Sequence, residues 1–295
     1  RARRFLDLGV GRLAERIRQG RFDAVLCSHV FAANMLTDAV KKYGLTVRTG
    51  VVETDYTNTP GVEASELDCY FVPSPQLARS LEALGVPEEK ILPTGIPVRA
   101  QIRVRHDHAE ARRTLGLAPE RKHLLVMCGS MGCGPIPALL EAVCAKKDAD
   151  TDVTVVCSTN EKLREDLTAV YGDHPDVHIR GHVDNVSLLM DSADVMLTKP
   201  GGISVTEAAW KHLPLVLLNT VGGCESYNLR YFLHAGAAWT GETPEQLADA
   251  AVCLCRNKAL CRLLSEGLRT IADGIHIEQI VAAMTASLGF DACRT

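Results

Sequence analysis

Short apolar runs alternate with helical patterns along nearly the whole chain, and this alternation constrains the fold more than any other feature. The runs have the length of buried strands, and segments with helical periodicity separate most of them. Such alternation predicts parallel sheets with helices packed on both faces. The predicted strands are residues 24–27, 47–52, 69–72, 91–93, 124–127, 153–157, 177–179, 195–197 and 215–218.

A polar, irregular stretch at residues 98–108 divides this alternation into two series. Residues 95–98 (Gly-Ile-Pro-Val) close the first series, and a second strand–turn–helix series starts at Lys122. A chain of 295 residues is long enough for two α/β domains of ordinary size. We therefore predict two Rossmann-like domains, at residues 1–98 and 108–295.

The predicted first domain has few strands for a Rossmann half. Residues 1–98 offer three clear strands and a short fourth at 91–93, where about six are usual. They also contain no glycine-rich turn after a first strand, and the sequence opens at Arg1 inside a helical pattern. We therefore expect this domain to lack its first βαβ unit and the sequence to be a fragment.

Composition argues against several classes of partner and structure. A net charge of −4 and a pI of about 6.2 argue against nucleic acid as the principal partner. No apolar run reaches the length of about 18 residues that a bilayer-spanning helix needs. The 11 cysteines form no Cys-x-x-Cys pair, which indicates buried free thiols in a reducing cytosol and no zinc site.

The first 22 residues are strongly basic, with seven arginines. Apolar residues recur at helical spacing within them, which predicts an amphipathic helix with arginines on its polar face. Such a helix is either an ordinary solvated surface helix or one that is attracted to anionic lipid headgroups. The apolar positions are Leu6, Val10, Leu13 and Ile17.

The strongest local signal for a ligand site is the turn at residues 198–207 (Thr-Lys-Pro-Gly-Gly-Ile-Ser-Val-Thr-Glu). A predicted strand ends at Leu197, two glycines form the turn, and a helix is predicted from about Ser204. Backbone amides at a helix N-terminus attract anions, and glycine lets a phosphate group approach closely. Glu207, one turn into this helix, either complements the helix dipole or accepts hydrogen bonds from two ribose hydroxyls.

Two further glycine-containing turns follow other predicted strands. Residues 129–134 (Gly-Ser-Met-Gly-Cys-Gly) resemble a phosphate-binding turn, although they do not match Gly-x-Gly-x-x-Gly. Residues 222–228 place Glu225 and Asn228 three apart at a helix start, where they either cap the helix or bind sugar hydroxyls. All three turns are predicted to lie at the carboxyl edge of one parallel sheet, where open α/β sheets bind ligands.

Two polar residues of the first domain follow its predicted strands in the same way. His29 lies just past strand 24–27, and Asp55 lies just past strand 47–52. Both are therefore expected at the carboxyl edge of the first sheet. His29 is either a structural histidine or a catalytic one, and Asp55 is either a turn residue or a catalytic carboxylate.

Taken in order, these segments resemble the family of monogalactosyldiacylglycerol synthases and processive diacylglycerol glucosyltransferases, which is related to the peptidoglycan lipid N-acetylglucosaminyltransferase. The similar segments follow the family order and extend over nearly the whole chain. They are residues 27–29, 52–57, 71–74, 95–98, 127–132, 181–185, 198–207 and 222–228.

The resemblance implies a GT-B fold and a hexosyltransferase of glycolipid synthesis. The donor would be UDP-glucose or UDP-galactose, the acceptor diacylglycerol, and the anomeric carbon would be inverted without a metal ion or other cofactor. The enzyme would be cytoplasmic and peripheral, on the anionic inner face of the cell membrane.

The resemblance also implies roles for individual residues. Glu207 would hold the ribose, and the backbone of residues 202–204 (Gly202, Ile203 and Ser204) would meet the diphosphate. His182 and Val183 would lie near the uracil, and Glu225 and Asn228 would face the sugar. The other predicted residues of the nucleotide-sugar site are Gly129, Ser130, Gly132, Lys199, Gly201 and Thr206.

Three departures from the family pattern affect these expectations. Cys224 replaces a glutamine, which leaves the choice of sugar open, and Thr59 and Val62 replace a histidine and a tryptophan near the acceptor. The family's glycine-rich loop with its histidine would precede Arg1, so the base is either in that loop or is one of the two candidates, His29 and Asp55. We expect residues 1–295 alone to bind UDP but to transfer sugar poorly.

Other functions fit the same fold. The chain could instead resemble the UDP-N-acetylglucosamine 2-epimerases, which need no lipid acceptor. Transfer to another lipid acceptor, such as a polyprenyl-linked sugar, is a second alternative, and binding of UDP without chemistry is a third. Labelled hexose that enters a lipid would favour the transferase.

Overall fold

A computed structural model describes residues 2–129, 134–219 and 222–286, with side chains from residue 9 onward. Within these ranges the chain forms two compact units. The first contains the residues up to Pro97 together with those from Gly274, and the second runs from Val98 to Asp273. Each unit is a parallel sheet packed with helices, as the alternation predicted.

The first unit is built on a four-stranded sheet in which neighbours in the chain are neighbours in the sheet. Strands β1 (Ala24–Cys27), β2 (Arg48–Val52), β3 (Cys69–Val72) and β4 (Ile91–Pro93) are all parallel. Helices α1 (Ala2–Gly20), α2 (Val30–Tyr43) and α3 (Pro75–Ala83) belong to this unit, as do 3₁₀ turns at Val62–Ala64 and Glu88–Lys90.

Alternating residues of β2 and β3 form two separate cores in the first unit. Val51 and Tyr70 pack with residues of α1 and α2, whereas Val52 and Phe71 belong to a second cluster. This alternation is expected because successive side chains of a strand point to opposite faces. The sheet is therefore buried on both faces, as parallel sheets usually are.

The second unit is built on a six-stranded parallel sheet with strand order β10-β9-β8-β5-β6-β7. Its strands are β5 (Lys122–Met127), β6 (Thr151–Val156), β7 (Val177–Arg180), β8 (Val195–Thr198), β9 (Leu215–Leu218) and β10 (Ala238–Gly241). Its helices are α4 (Ala100–Arg103), α5 (His108–Thr114), α6 (Ile136–Lys146), α7 (Glu161–Tyr171), α8 (Val186–Ser192), α9 (Gly202–Lys211), α10 (Cys224–His234), α11 (Pro244–Arg256) and α12 (Lys258–Ala272).

The core of the second unit lies between its sheet and the helices α6 and α11. Leu139 and Val143 of α6 and Ala248 of α11 pack against buried valines and leucines of the central strands. The strands contribute almost continuous apolar runs because both faces of the sheet are covered. The strand order of this sheet is that of a doubly wound nucleotide-binding domain.

The stretch at residues 98–108 differs from the irregular linker that was predicted. It contains α4, and Val98 and Ile102 are buried in the second unit. Its polar groups are paired: Arg105 donates to the carbonyl of Trp210 at 2.7 Å, and His106 contacts Asp191 at 2.8 Å. These partners lie far along the chain, so local polarity alone gave no sign of this packing.

A last helix, α13 (Ile277–Thr285), groups with the first unit. Its buried Ile280 and Met284 complete the second core of that sheet, together with Val52 and Phe71. Gly50 of β2 allows this close approach, because an added Cβ would lie 2.7 Å from the sulfur of Met284. The predicted second domain of residues 108–295 differs from the structure here, where the chain leaves the second unit after Asp273.

None of the helices in the described residues is both long enough and apolar enough to span a membrane. This finding agrees with the sequence, in which no long apolar run was found. The two sheets and their helices match the predicted GT-B architecture.

Replacing Met284 by Ala tests the assignment of α13 to the first unit. The change removes a buried side chain from the second core, and it should lower the free energy of unfolding by about 2–4 kcal/mol. Urea denaturation measures the loss. Val281→Ala on the same helix is the control, since Val281 is 59% exposed and its truncation should change stability little. Equal stability of the two variants would contradict the packing.

Candidate functional site

The strand order of the second unit has one point at which the chain reverses direction across the sheet. From β5 the chain adds β6 and then β7 on one side, and it returns to place β8 on the other side of β5. Open α/β sheets bind ligands in the crevice outside the carboxyl ends of the strands at such a point. The turns after β5 and β8 border this crevice.

The described residues of the three predicted turns lie at this edge because β8 pairs with both β5 and β9. Thr198 donates from its hydroxyl to the carbonyl of Met127 at 2.5 Å, which joins the ends of β8 and β5. Asn228 donates from its side-chain amide to the carbonyl of Pro200 at 2.9 Å, which joins α10 to the turn after β8. The sequence prediction of one shared edge is thus confirmed.

Among the described residues, no side chain caps the helices that begin at these three turns. These helices are α6, α9 and α10, which follow β5, β8 and β9. Helix α8, which follows β7 at the same edge, also starts without a side-chain cap, whereas Asn160 caps α7 and Thr243 caps α11. A helix N-terminus that no side chain caps favours an anion, because its first-turn amides and the helix dipole both attract negative charge.

Helix α9 begins two residues earlier than predicted, at Gly202 instead of about Ser204. The amides of residues 202–204 therefore form its first turn, which is where the family resemblance places the diphosphate. The side chain of Ile203 is exposed and that of Thr206 is buried. Thr206 donates its hydroxyl to the carbonyl of Gly202 at 2.6 Å, so it supports the backbone of this turn.

Glu207 is held by an arginine that the sequence analysis did not connect with it. The side chain is only 2% exposed, and its two oxygens accept hydrogen bonds from Arg99 at 2.6 and 2.9 Å. It is the sixth residue of α9, beyond the first turn in which a helix dipole acts strongly. Dipole complementation therefore does not account for its position, and the fork of Arg99 fixes its orientation.

Glu225 also has a cationic partner. Its Oε1 lies 2.6 Å from the ammonium of Lys199, and both side chains are about one third exposed. An added Cβ on Gly201 would lie 3.9 Å from the same oxygen. The Glu225 carboxylate therefore lies beside the turn that precedes α9, close to the predicted diphosphate position.

The remaining predicted donor residues lie at the same sheet edge or outside the described residues. Gly129 follows β5 with a φ of +74°, a backbone conformation that favours glycine. His182 and Val183 follow β7, and Val183 lines a cleft of about 310 Å³ with Leu115 and Leu189. The predicted residues Ser130 and Gly132 lie outside the described residues.

In the first unit, His29 and Asp55 follow the adjacent parallel strands β1 and β2, as predicted. His29 is the N-cap of α2, and its Nδ1 accepts a hydrogen bond from the amide of Phe31 at 3.2 Å. This bond uses the lone pair of Nδ1 and places the ring proton on Nε2 in the neutral form. To act as a base, His29 would have to give up this cap.

Glu53 is a buried carboxylate that the sequence analysis did not single out. Located just past β2, it is 4% exposed and accepts hydrogen bonds from Thr59, including one from the hydroxyl at 2.7 Å. Burial raises the pKa of Glu53 to about 7; bonds from Thr59 lower it, while the nearby Asp55 and Glu63 raise it further. Glu53 therefore exchanges a proton near neutral pH, next to one of the predicted bases.

Among the described side chains, no group of three or more His, Cys, Asp or Glu residues is arranged to hold a metal ion. The predicted independence from metal ions stays a prediction, which binding measurements address below.

Comparison with known proteins supports the family resemblance over both units. Residues 2–98 match the family described as monogalactosyldiacylglycerol synthase, and residues 123–256 match the C-terminal domain of glycosyltransferase family 28. A processive diacylglycerol β-glucosyltransferase of Bacillus cereus is 30% identical over 269 residues, which cover 90% of this chain and 68% of the relative.

The chain belongs to the family of monogalactosyldiacylglycerol synthases and processive diacylglycerol glucosyltransferases. The resemblance stated from the sequence is thereby confirmed. Another relative, the processive diacylglycerol β-glucosyltransferase of a second B. cereus strain, is 30% identical over 236 residues, or 79% of this chain. The chain spans 60% of the length of that relative in this match.

Solved structures confirm the fold. The S. aureus MnaA–UDP structure has a TM-score of 0.73 at 18% identity and covers 100% of this chain and 84% of its own. A putative UDP-N-acetylglucosamine 2-epimerase from Listeria monocytogenes has a TM-score of 0.72 at 19% identity, over 99% of this chain and 82% of its own. At these identities the likeness extends to the fold alone.

Replacing Glu207 by Gln in this family member should weaken UDP binding. The loss of charge-assisted hydrogen bonds to the ribose predicts a roughly 10- to 100-fold higher Kd for UDP, measured by calorimetry. Stability should also fall, by about 1–2 kcal/mol, because Arg99 keeps one acceptor but loses the second acceptor and the opposite charge. Glu266→Gln, an exposed glutamate of α12, is the control. Lower stability with unchanged UDP affinity would show that Glu207 supports the fold but does not bind UDP.

Replacing Glu53 by Gln should remove a pH dependence of stability. A carboxyl whose pKa rises from 4.5 to about 7 on folding binds its proton more tightly in the folded state. Its contribution to stability is full below pH 4.5 and is lost as the pH rises through 7, by a total of about 3 kcal/mol. Urea denaturation between pH 4.5 and 8 should therefore show a shallower loss in Glu53→Gln.

Glu82→Gln is the matched control, because Glu82 is an exposed glutamate of α3. This variant should keep the wild-type dependence of stability on pH. Parallel pH profiles for Glu53→Gln and the wild type would show that Glu53 does not titrate as its burial implies.

Proposed function

We propose that this chain carries the donor site of a UDP-hexose-dependent glycosyltransferase that acts on diacylglycerol. The observation that carries the proposal is the cluster of three turns at the switch point, where uncapped helices begin beside Glu207 and Glu225. Anion-binding amides and hydroxyl-binding carboxylates side by side suit a nucleotide sugar. The names of the relatives as diacylglycerol β-glucosyltransferases support the acceptor.

The reaction is a displacement at the anomeric carbon. An acceptor hydroxyl attacks this carbon from the face opposite the diphosphate, the bond to the diphosphate oxygen breaks, and a base takes the hydroxyl proton. The amides of residues 202–204 and the ammonium of Lys199 stabilise the charge that develops on the departing UDP. No metal ion is needed for this role in the proposal.

Donor recognition is divided among a few side chains. Glu207, oriented by Arg99, accepts hydrogen bonds from the ribose hydroxyls, and Glu225 accepts them from the hexose. Asn228 is fully buried and bonded to Pro200, so it acts on the hexose mainly by holding the turn after β8 in place. The loop with His182 and Val183 contributes to the uracil end of the site.

For the base, the geometry favours Asp55 over His29. The Nδ1 of His29 accepts a hydrogen bond at the start of α2, which uses its one lone pair. A carboxylate has about four acceptor sites, and Asp55 lies in a bend after β2, partly exposed. Glu53 lies two residues away, and its charge adds to that of Asp55 once it loses its proton. Substitution of Asp55 and, separately, of His29 would test which of the two acts as the base.

Attachment to an anionic membrane face is part of the proposal. Val10 and Ile17 are buried on the apolar side of α1, whereas Arg12 and Arg16 are exposed on its polar side. Each basic residue near an anionic bilayer contributes about 1 kcal/mol of attraction. Arg18 donates a hydrogen bond to the carbonyl of Tyr43, so it contributes less to this attraction than Arg12 and Arg16 do.

A second candidate function is that of a UDP-N-acetylglucosamine 2-epimerase, which the likeness in fold favours. The sequence relatives favour the transferase, since they are diacylglycerol glucosyltransferases at 30% identity. The products separate the two functions: a transferase places labelled hexose in a lipid, whereas an epimerase leaves the lipid unlabelled.

The proposal predicts metal-independent donor binding and lipid glycosylation. UDP should bind residues 1–295 in excess EDTA, as measured by calorimetry. The protein, expressed from its complete gene, should convert radiolabelled UDP-glucose or UDP-galactose and diacylglycerol to a labelled glycolipid in EDTA, and faster in anionic than in neutral liposomes. Loss of UDP binding on removal of metal, or unlabelled lipid with both donors, would contradict the proposal.

A further inference from the structure

The ion pair between Lys199 and Glu225 spans two of the three turns at the switch point. The ammonium lies 2.6 Å from Oε1 of Glu225, and the side chains are 31% and 33% exposed. Lys199 belongs to the turn after β8, and Glu225 belongs to the first turn of α10, after β9. A partly exposed pair of this kind is weak, at about 0.2–1 kcal/mol, so an incoming charged ligand can replace either partner.

The side chain of Lys199 passes over Gly129 and close to Gly201. An added Cβ on Gly129 would lie 2.6 Å from Cε of Lys199, and one on Gly201 would lie 3.8 Å from the same atom. The aliphatic part of Lys199 therefore crosses the turn after β5 and stays close to the residue that caps α9. Its side chain therefore ends close to Gly201, the residue that directly precedes the amides of residues 202–204.

The charges of this arrangement do not suit a bound diphosphate as they stand. A helix N-terminus supplies only about half a positive charge, and a nucleoside diphosphate brings at least two negative charges. Glu225 repels this ligand while it neutralises the nearby lysine. At the same time, a carboxylate oxygen bonded to Lys199 is a poorer acceptor for the hydroxyls of a hexose.

We infer that the ammonium of Lys199 exchanges its partner when the donor binds: it separates from Glu225 and contacts the diphosphate. This inference rests on the proposed function, in which these turns hold a UDP-sugar. The exchange frees the Glu225 carboxylate for the hexose hydroxyls. Lys199 and Glu225 thus couple the two ends of the donor: filling the diphosphate position prepares the sugar position.

The exchange predicts opposite effects of the two single substitutions on UDP binding. Lys199→Met should raise the Kd for UDP at least about tenfold, since a charge-assisted contact is lost. Glu225→Gln should lower the Kd for UDP by about two- to fivefold, because Lys199 no longer has to leave a carboxylate. The same Glu225→Gln change should reduce the gain in affinity that the hexose of UDP-hexose adds over UDP.

Calorimetry with UDP, UDP-glucose and UDP-galactose measures these effects, and NMR titration with uridine is the reference. Uridine has no diphosphate, so its affinity should stay within about twofold in both variants. In the Lys199→Met background, Glu225→Gln should improve UDP binding by less than it does in the unaltered chain, because only the repulsion between Glu225 and the diphosphate is then removed. Lys162→Met and Glu165→Gln, an exposed pair of residues on α7, are the matched controls.

Several results would overturn the inference. Wild-type UDP affinity in Lys199→Met would show that the lysine does not contact the diphosphate. Weaker UDP binding in Glu225→Gln, with unchanged uridine binding, would show that the ion pair supports the site instead of opening. If the unaltered chain binds uridine but not UDP, or binds neither, the proposed function itself fails and the inference fails with it.

Discussion

The pairing of β8 with β5 on one side and β9 on the other is the interaction on which the candidate site depends. Parallel strands end at the same edge, so this pairing brings together three turns that are separated by about 90 residues of sequence. The crossing from β7 back to β8 leaves a crevice at this edge. The hydroxyl of Thr198 donates a hydrogen bond to the carbonyl of Met127, which joins the ends of β8 and β5 at this crevice.

The carboxylates of the site are held in place by cations of the chain itself. Arg99 orients the buried Glu207 with two hydrogen bonds, and Lys199 holds the partly exposed Glu225 with one. The difference in burial separates their roles. A bidentate pair with a buried carboxylate is rigid and suits a fixed ribose position, whereas a single, partly exposed ion pair can exchange partners as the diphosphate enters.

The sequence predicted nine strands to within two residues, because buried parallel strands are short apolar runs between turn residues. It placed the three turns and their carboxylates correctly at one edge. It missed β10, a short strand of mostly small residues, and the grouping of α13 with the first unit. The contact of Arg99 with Glu207 and the burial of Glu53 were missed as well, since long-range pairing and burial leave no local periodicity.

A crystal structure of the chain with UDP would show whether the donor binds at the switch point of the second sheet. We expect the diphosphate within hydrogen-bond distance of the amides of residues 202–204, and the ribose hydroxyls on the carboxylate of Glu207. The ammonium of Lys199 should contact a phosphate oxygen. UDP bound away from the switch point, or a diphosphate held only through a metal ion on carboxylates, would contradict these expectations.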